Sequence, residues 1–129
     1  MEARTALIVD DEMSNTQLFG IMLELEGFRP VAASDAATAL EALRQQIPDV
    51  MIVDVMLPGA SGLDLCRKVR KELGLTKLPI VIVSAKSQLQ DVQAGLEAGA
   101  NTYLMKPVTK AELLSAVQRA IDGAGPPRG

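Results

Sequence analysis

The stretch Val50-Met51-Ile52-Val53-Asp54-Val55-Met56-Leu57-Pro58-Gly59 decides how the chain is to be read. Four apolar residues, three of them β-branched, run straight into a carboxylate, and a Pro-Gly pair turns the chain soon after. A short apolar run bounded by turn residues is the pattern of a strand buried on both faces. The same form recurs at Ala6–Val9, which ends in Asp10-Asp11, at Ile80–Val83, which ends in Ser84, and at Thr102–Met105, which ends in Lys106-Pro107. Arg29–Ala33 is a weaker run containing Pro30, which cannot donate to a central ladder, so it belongs at a sheet edge.

Between the strands lie segments with helical spacing: Leu18, Ile21, Met22 and Leu25; Leu40, Leu43 and Ile47; Leu65, Val69 and Leu73; Leu113, Val117 and Ile121. Ser14–Gln17 and Thr109–Glu112 match capping boxes, and Gly27, Gly74, Gly99 and Gly123 suit positions just past a helix. Five strands alternating with five helices give an α/β fold, a doubly wound parallel sheet with helices on both faces. With the second strand at the edge, the order is 2-1-3-4-5. Ligands of such sheets sit outside the carboxyl ends of the strands, where the winding reverses between strands 1 and 3.

Composition narrows the function. The 129 residues, 48% hydrophobic and 22% charged, suit one globular domain, expected over residues 1–122, with Gly- and Pro-rich residues 123–129 as a flexible tail or the start of a linker. No apolar run approaches the roughly 20 residues that cross a bilayer, and no signal-like stretch opens the chain, so a cytoplasmic location is expected. The formal net charge of -3 argues against direct nucleic-acid binding by this domain. Histidine is absent, which excludes Ser-His-Asp hydrolysis, histidine-held metals and histidine acid–base catalysis. Cys66, the single cysteine, beside Leu65 and Val69, reads as a small core filler.

The strand ends carry the chemistry. Asp10, Asp11 and Asp54 converge at one crevice and repel one another unless a hard cation sits among them, and oxygen ligands with retained water suit Mg²⁺. Lys106 adds a mobile positive charge, Ser84 a hydroxyl, and the turn after Ser84 offers backbone N–H groups to an anion. Singly, each has a plainer reading: Asp10 and Asp11 as loop acids or caps, Asp54 as a turn acid before Pro58-Gly59, Ser84 as a helix cap, Lys106 as a solvated lysine. Their joint occurrence at successive strand ends favours a metal plus a phosphoryl group, with Asp54 as acceptor.

These residues resemble the receiver domain of bacterial two-component response regulators, of the chemotaxis-regulator kind, from about Thr5 to Ile121. The resemblance rests on Leu7-Ile8-Val9-Asp10-Asp11-Glu12, Asp54-Val55-Met56-Leu57-Pro58-Gly59, Val83-Ser84-Ala85 and Gly99-Ala100-Asn101-Thr102-Tyr103-Leu104-Met105-Lys106-Pro107. It implies a flavodoxin-like fold and phosphoryl transfer from the phosphohistidine of a histidine kinase or phosphotransfer protein to Asp54, in a switch that catalyses its own phosphorylation and dephosphorylation. Mg²⁺ (or Mn²⁺) would be held by Asp11, Asp54 and the backbone carbonyl of Met56, with Asp10 acting through water. Lys106 would pair with the phosphoryl group, the N–H groups of Met56 and Ala85 would cradle it, and the Lys106-Pro107 bond would be cis.

By the same resemblance Ser84 and Tyr103 form a switch pair, and phosphorylation re-populates a docking face made by the fourth helix, fifth strand and fifth helix. Gly95, inside the fourth helix, is consistent with a mobile element. The donor would dock at the start of the first helix, around Met13, Asn15 and Leu18. Met56 and Lys86 occupy positions that tune lifetime in the family: a bulky Met56 shielding the acyl phosphate, and a Lys86 unable to position water as a carboxylate does, predict slow self-dephosphorylation. Two rivals remain, an aspartyl-phosphate phosphatase, which needs a second aspartate where Met56 stands, and a structural receiver that is never phosphorylated. A flavin site is discounted, since acids occupy the first loop and only 2% of residues are aromatic.

Overall fold

The computed structural model describes residues 3–123. The apolar run ahead of Asp54 forms β3 (Val50–Val53), buried at every position, and the other strands are β1 (Arg4–Val9), β2 (Phe28–Ala33), β4 (Ile80–Ser84) and β5 (Thr102–Met105). They pair in parallel in the order β2-β1-β3-β4-β5, with the Pro30 strand at the edge, as its missing N–H requires. The crossovers are α1 (Met13–Glu24), α2 (Ala36–Gln45), α3 (Gly62–Lys71) and α4 (Leu89–Glu97), and α5 (Lys110–Gly123) follows the last strand.

Strand alternation splits the core into two layers. Leu7, Val9, Met51, Val53, Ile80 and Ile82 meet Leu43 of α2 and Leu65, Cys66 and Val69 of α3. Ala6, Ile8, Val50, Ile52, Val81 and Val83 meet Phe19 and Leu23 of α1 and Leu113 and Val117 of α5. A buried Leu, Ile or Val stabilises by about 1.5–3 kcal/mol, so these layers, rather than the polar strand ends, carry the stability of the domain. Cys66 is fully buried, and burial pushes its thiol up to about 12. Among the described residues no helix is long and apolar enough to cross a membrane.

Several local expectations are corrected. α1 buries Phe19, Gly20 and Leu23, while Leu18, Ile21 and Leu25 face solvent. Apolar residues stand on nearly every face of this segment, so period alone leaves its phase open, and the entry angle of the chain decides it. Ser14 does not cap α1. The Glu12 N–H is taken by the Asp10 carboxylate at 2.9 Å, which turns the chain early, and the helix starts at Met13 with Glu12 at its N-cap. Ile47 lies past α2 and is exposed, because the chain is already extended at Gln46 ahead of Pro48.

Gly123 is the last residue of α5 rather than a residue beyond it. The Gln118–Asp122 hydrogen bond, 3.0 Å, spans the final turn and supports its continuation. The rest of the expected tail, 124–129, lies outside the described residues. The Thr109–Glu112 box does form, with Thr109 N–H donating to Glu112 Oε1 (3.0 Å) and Glu112 N–H to Thr109 Oγ1 (3.1 Å). Gly27, Gly74 and Gly99 take positive φ after α1, α3 and α4.

Candidate functional site

Register brings the strand ends level. Val9 pairs with Val53, Val53 with Ile82 and Ser84 with Met105, so Asp10, Asp54, Ser84 and Lys106 emerge on one rim. Backbone bonds hold that rim: Asp54 N–H donates to Val9 O (2.9 Å), Asp10 N–H to Ala33 O (3.1 Å) and Lys106 N–H to Ser84 O (2.9 Å). The Lys106-Pro107 peptide is cis.

Asp10 and Asp54 are 3% and 6% exposed, a burial that carboxylates tolerate only with partners. Lys106 serves both, its Nζ lying 3.0 Å from Asp10 Oδ2 and 2.8 Å from Asp54 Oδ2. The remaining oxygens are met by backbone: Glu12 N–H donates to Asp10 Oδ1, and Met56 N–H donates to Asp54 Oδ1 at 3.0 Å. Burial alone would lower the Lys106 pKa, but the hydrogen bonds and charges of Asp54 and Asp10 outweigh it and hold the ammonium above the usual lysine range.

Asp11 is exposed beside them, and one oxygen from each of Asp10, Asp11 and Asp54 can be chosen so that all three lie within 4.8 Å of one another. One ammonium against three carboxylates leaves the cluster net negative. Three hard oxygen donors so close suit a small divalent cation such as Mg²⁺ and not a soft metal. A cleft of about 540 Å³ opens beside Asp11, lined also by the Val55–Ser61 loop and Lys86, with Met56 exposed at its edge.

On the other side of the rim, Ser84 is fully buried and its Oγ accepts the Lys86 N–H at 3.2 Å. It ends β4 and does not cap α4, which begins five residues later at Leu89. Ala85 is exposed next to it. Tyr103 is half-buried on β5, and its hydroxyl donates to the Lys86 carbonyl oxygen at 2.8 Å, so one residue, Lys86, links the two proposed switch side chains through its backbone. Burial raises the Tyr103 phenol above the ordinary tyrosine value, with a smaller push from the negative charges of Asp91 and Asp54 and an opposing pull from Ser84.

The family model for the response regulator receiver domain matches residues 6–118. The chain belongs to that family. Among solved structures, this receiver is similar to a putative response regulator from Chloroflexus aurantiacus (TM-score 0.89, 35% identity, 94% of this chain and 99% of that one). It is also similar to the chemotaxis response regulator CheY4 of Vibrio cholerae (TM-score 0.85, 29% identity, 93% and 99%). Curated relatives include the DNA-binding response regulator MtrA of Mycobacterium tuberculosis, 42% identical over 112 residues that make up 87% of this chain and 48% of that protein. The phosphate regulon regulator PhoB of Escherichia coli is 33% identical over 96% of this chain and 54% of its own length. The receiver thus spans about half the length of these relatives.

Two residues of the receiver's rim escaped the sequence reading. Asn15, read as part of a donor-docking surface, also turns its side-chain amide to Asp10 Oδ2 at 3.2 Å and so helps orient that carboxylate. Its place five residues after Asp10, in the first turn of the helix that follows, was the available signal. Gly62 opens α3 directly against the acceptor turn: its N–H donates to Val55 O at 2.8 Å, and a Cβ there would land on the Asp54 carbonyl oxygen, 2.9 Å from its carbon. Nothing in the sequence marks that approach, which exists only once the loop has folded back.

Proposed function

We propose that Asp54 is the phosphoacceptor of a two-component phosphorelay and that this receiver catalyses the transfer to itself. The observation that supports this most is Lys106, whose ammonium lies on Asp10 and Asp54 together while Met56 N–H points at the other Asp54 oxygen. In the reaction an Asp54 oxygen attacks phosphorus, the P–N bond to a partner's histidine breaks, and the nitrogen leaves with the electron pair of that bond. Lys106 follows the charge that passes to the phosphoryl oxygens, and the N–H groups of Met56 and Ala85 cradle them, so rate comes from alignment and charge stabilisation rather than acid–base chemistry. Asp11, Asp54 and the Met56 carbonyl would hold Mg²⁺, or Mn²⁺, with Asp10 acting through water, and the ion would supply the remaining positive charge.

The donor in this reading is a histidine kinase or histidine phosphotransfer protein, docking near Met13, Asn15 and Leu18, of which Met13 and Leu18 offer exposed apolar surface. Ser84 and Tyr103 carry the signal to the face formed by α4, β5 and α5, where an output protein or domain docks. The receiver, one unit ending near residue 122, acts in the cytoplasm and makes no direct contact with nucleic acid. The DNA binding in MtrA's name belongs to a protein about twice as long.

Intact mass after incubation with a small phosphodonor, with and without Mg²⁺, tests this reading. The wild type gains a metal-dependent phosphate adduct and Asp54→Asn gains none. An adduct that persists in Asp54→Asn removes Asp54 as acceptor, no adduct in either favours a structural receiver, and steady turnover of a phosphate ester restores the phosphatase.

A further inference from the structure

Gly95 is a poorer helix former than alanine would be, and it is the buried residue of α4. Its reason is spatial. A Cβ at this position would fall 2.8 Å from Cδ2 and 3.2 Å from Cε2 of Tyr103, and 2.9 Å from Cδ1 of Ile82. One edge of the ring occupies the volume a side chain would take, while its hydroxyl, at the far end, is bonded to the Lys86 carbonyl. The ring therefore bridges the body of α4 and the turn that holds Ser84. Of the two groups crowding Gly95, Ile82 is fully buried on an inner strand, whereas Tyr103 is half-buried on the edge strand β5 and has solvent to turn into.

We propose that Gly95 is the seat that holds the Tyr103 ring inward, so that any side chain at position 95 and an inward ring exclude each other. Gly95 is then a positioning residue for the switch, which makes its absent Cβ a requirement of the inward state rather than a device for loosening α4. The seat rests on these contacts alone. Its effect on output rests on the switch reading given above.

Tyr103 is the single tyrosine and the chain has no tryptophan, so ultraviolet absorbance and fluorescence above the phenylalanine range report this one ring. In Gly95→Ala the ring turns out: the phenol midpoint falls from its raised value toward about 10, that of free tyrosine, and iodide quenches the fluorescence more strongly than in wild type. The double variant Ile82→Val/Gly95→Ala removes the Ile82 Cδ1 contact and leaves only the ring to collide, so it shows the same two changes if the single variant fails to fold. Either protein, folded by circular dichroism, with wild-type titration and quenching overturns the proposal. None of these readouts needs phosphate, so a failed seat and a failed acceptor are told apart by the Asp54 mass experiment.

Discussion

Asp54 and Tyr103 stand on strands either side of β4, and the chain treats them in opposite ways. The acceptor turn is fixed from several directions: Asp54 N–H bonds Val9, Val55 O takes the Gly62 N–H, Gly62 fills the space behind the Asp54 carbonyl, and both carboxylate oxygens have donors. The Tyr103 ring has one hydroxyl bond and a socket lined by a glycine. A phosphoryl transfer loses rate with every misplacement of the reacting atom, while a signal needs a group with two available positions. Rigidity at the end of β3 and, on the switch reading, freedom on β5 thus flank β4, which ends in Ser84.

The largest blow to this contrast is Lys106→Met, which leaves two buried carboxylates without their shared cation. We expect about 3–5 kcal/mol of lost stability, read from the urea midpoint at pH 7. The same residue sets an alkaline limit. Because its folded pKa is raised, its contribution is complete below about pH 10.4 and is lost as pH climbs through the folded value. The raised Tyr103 phenol acts in the same direction, since the unfolded phenol releases its proton first. Wild-type midpoints should fall above about pH 10, and Lys106→Met/Tyr103→Phe should give a flatter profile. A wild-type curve level to pH 11 would remove the coupling.

Gly62→Ala comes next and tests the rigid side alone. Overpacking against the Asp54 carbonyl costs about 1–3 kcal/mol, and displacement of the acceptor slows phosphorylation of the folded protein by about a hundredfold. The core change Leu23→Ala, on the opposite layer, should cost as much stability with little effect on that rate. Equal rates in the two variants would mean that the acceptor turn is less constrained than its contacts suggest. The smallest effect belongs to Met56→Asn: the residue is 55% exposed, so stability moves by no more than about 0.5 kcal/mol, yet the aspartyl phosphate decays several-fold faster by mass spectrometry. An unchanged decay rate excludes shielding by Met56.

The sheet and its order were legible because each buried strand is a continuous apolar run, and Pro30 excluded its own strand from the centre. The rim was legible for the same reason, since the residue following each run has nowhere to go but the strand end. What sequence did not disclose depends on contacts between distant atoms. The phase of α1 is hidden by apolar residues on every side, its start by a hydrogen bond from Glu12 to Asp10, and Gly62 and Gly95 look like ordinary helix glycines until the Asp54 carbonyl and the Tyr103 ring are in place.

The Lys106–Asp10 contact joins residues 96 positions apart, and 52 positions separate Lys106 from Asp54. As the chain is synthesised, all three acids are made long before the ammonium that balances two of them. Until β5 docks, the carboxylates at the ends of β1 and β3 lack the Lys106 ammonium that bridges Asp10 and Asp54. On the phosphotransfer reading proposed above, efficient uptake of the phosphoryl group therefore depends on the last strand being in place.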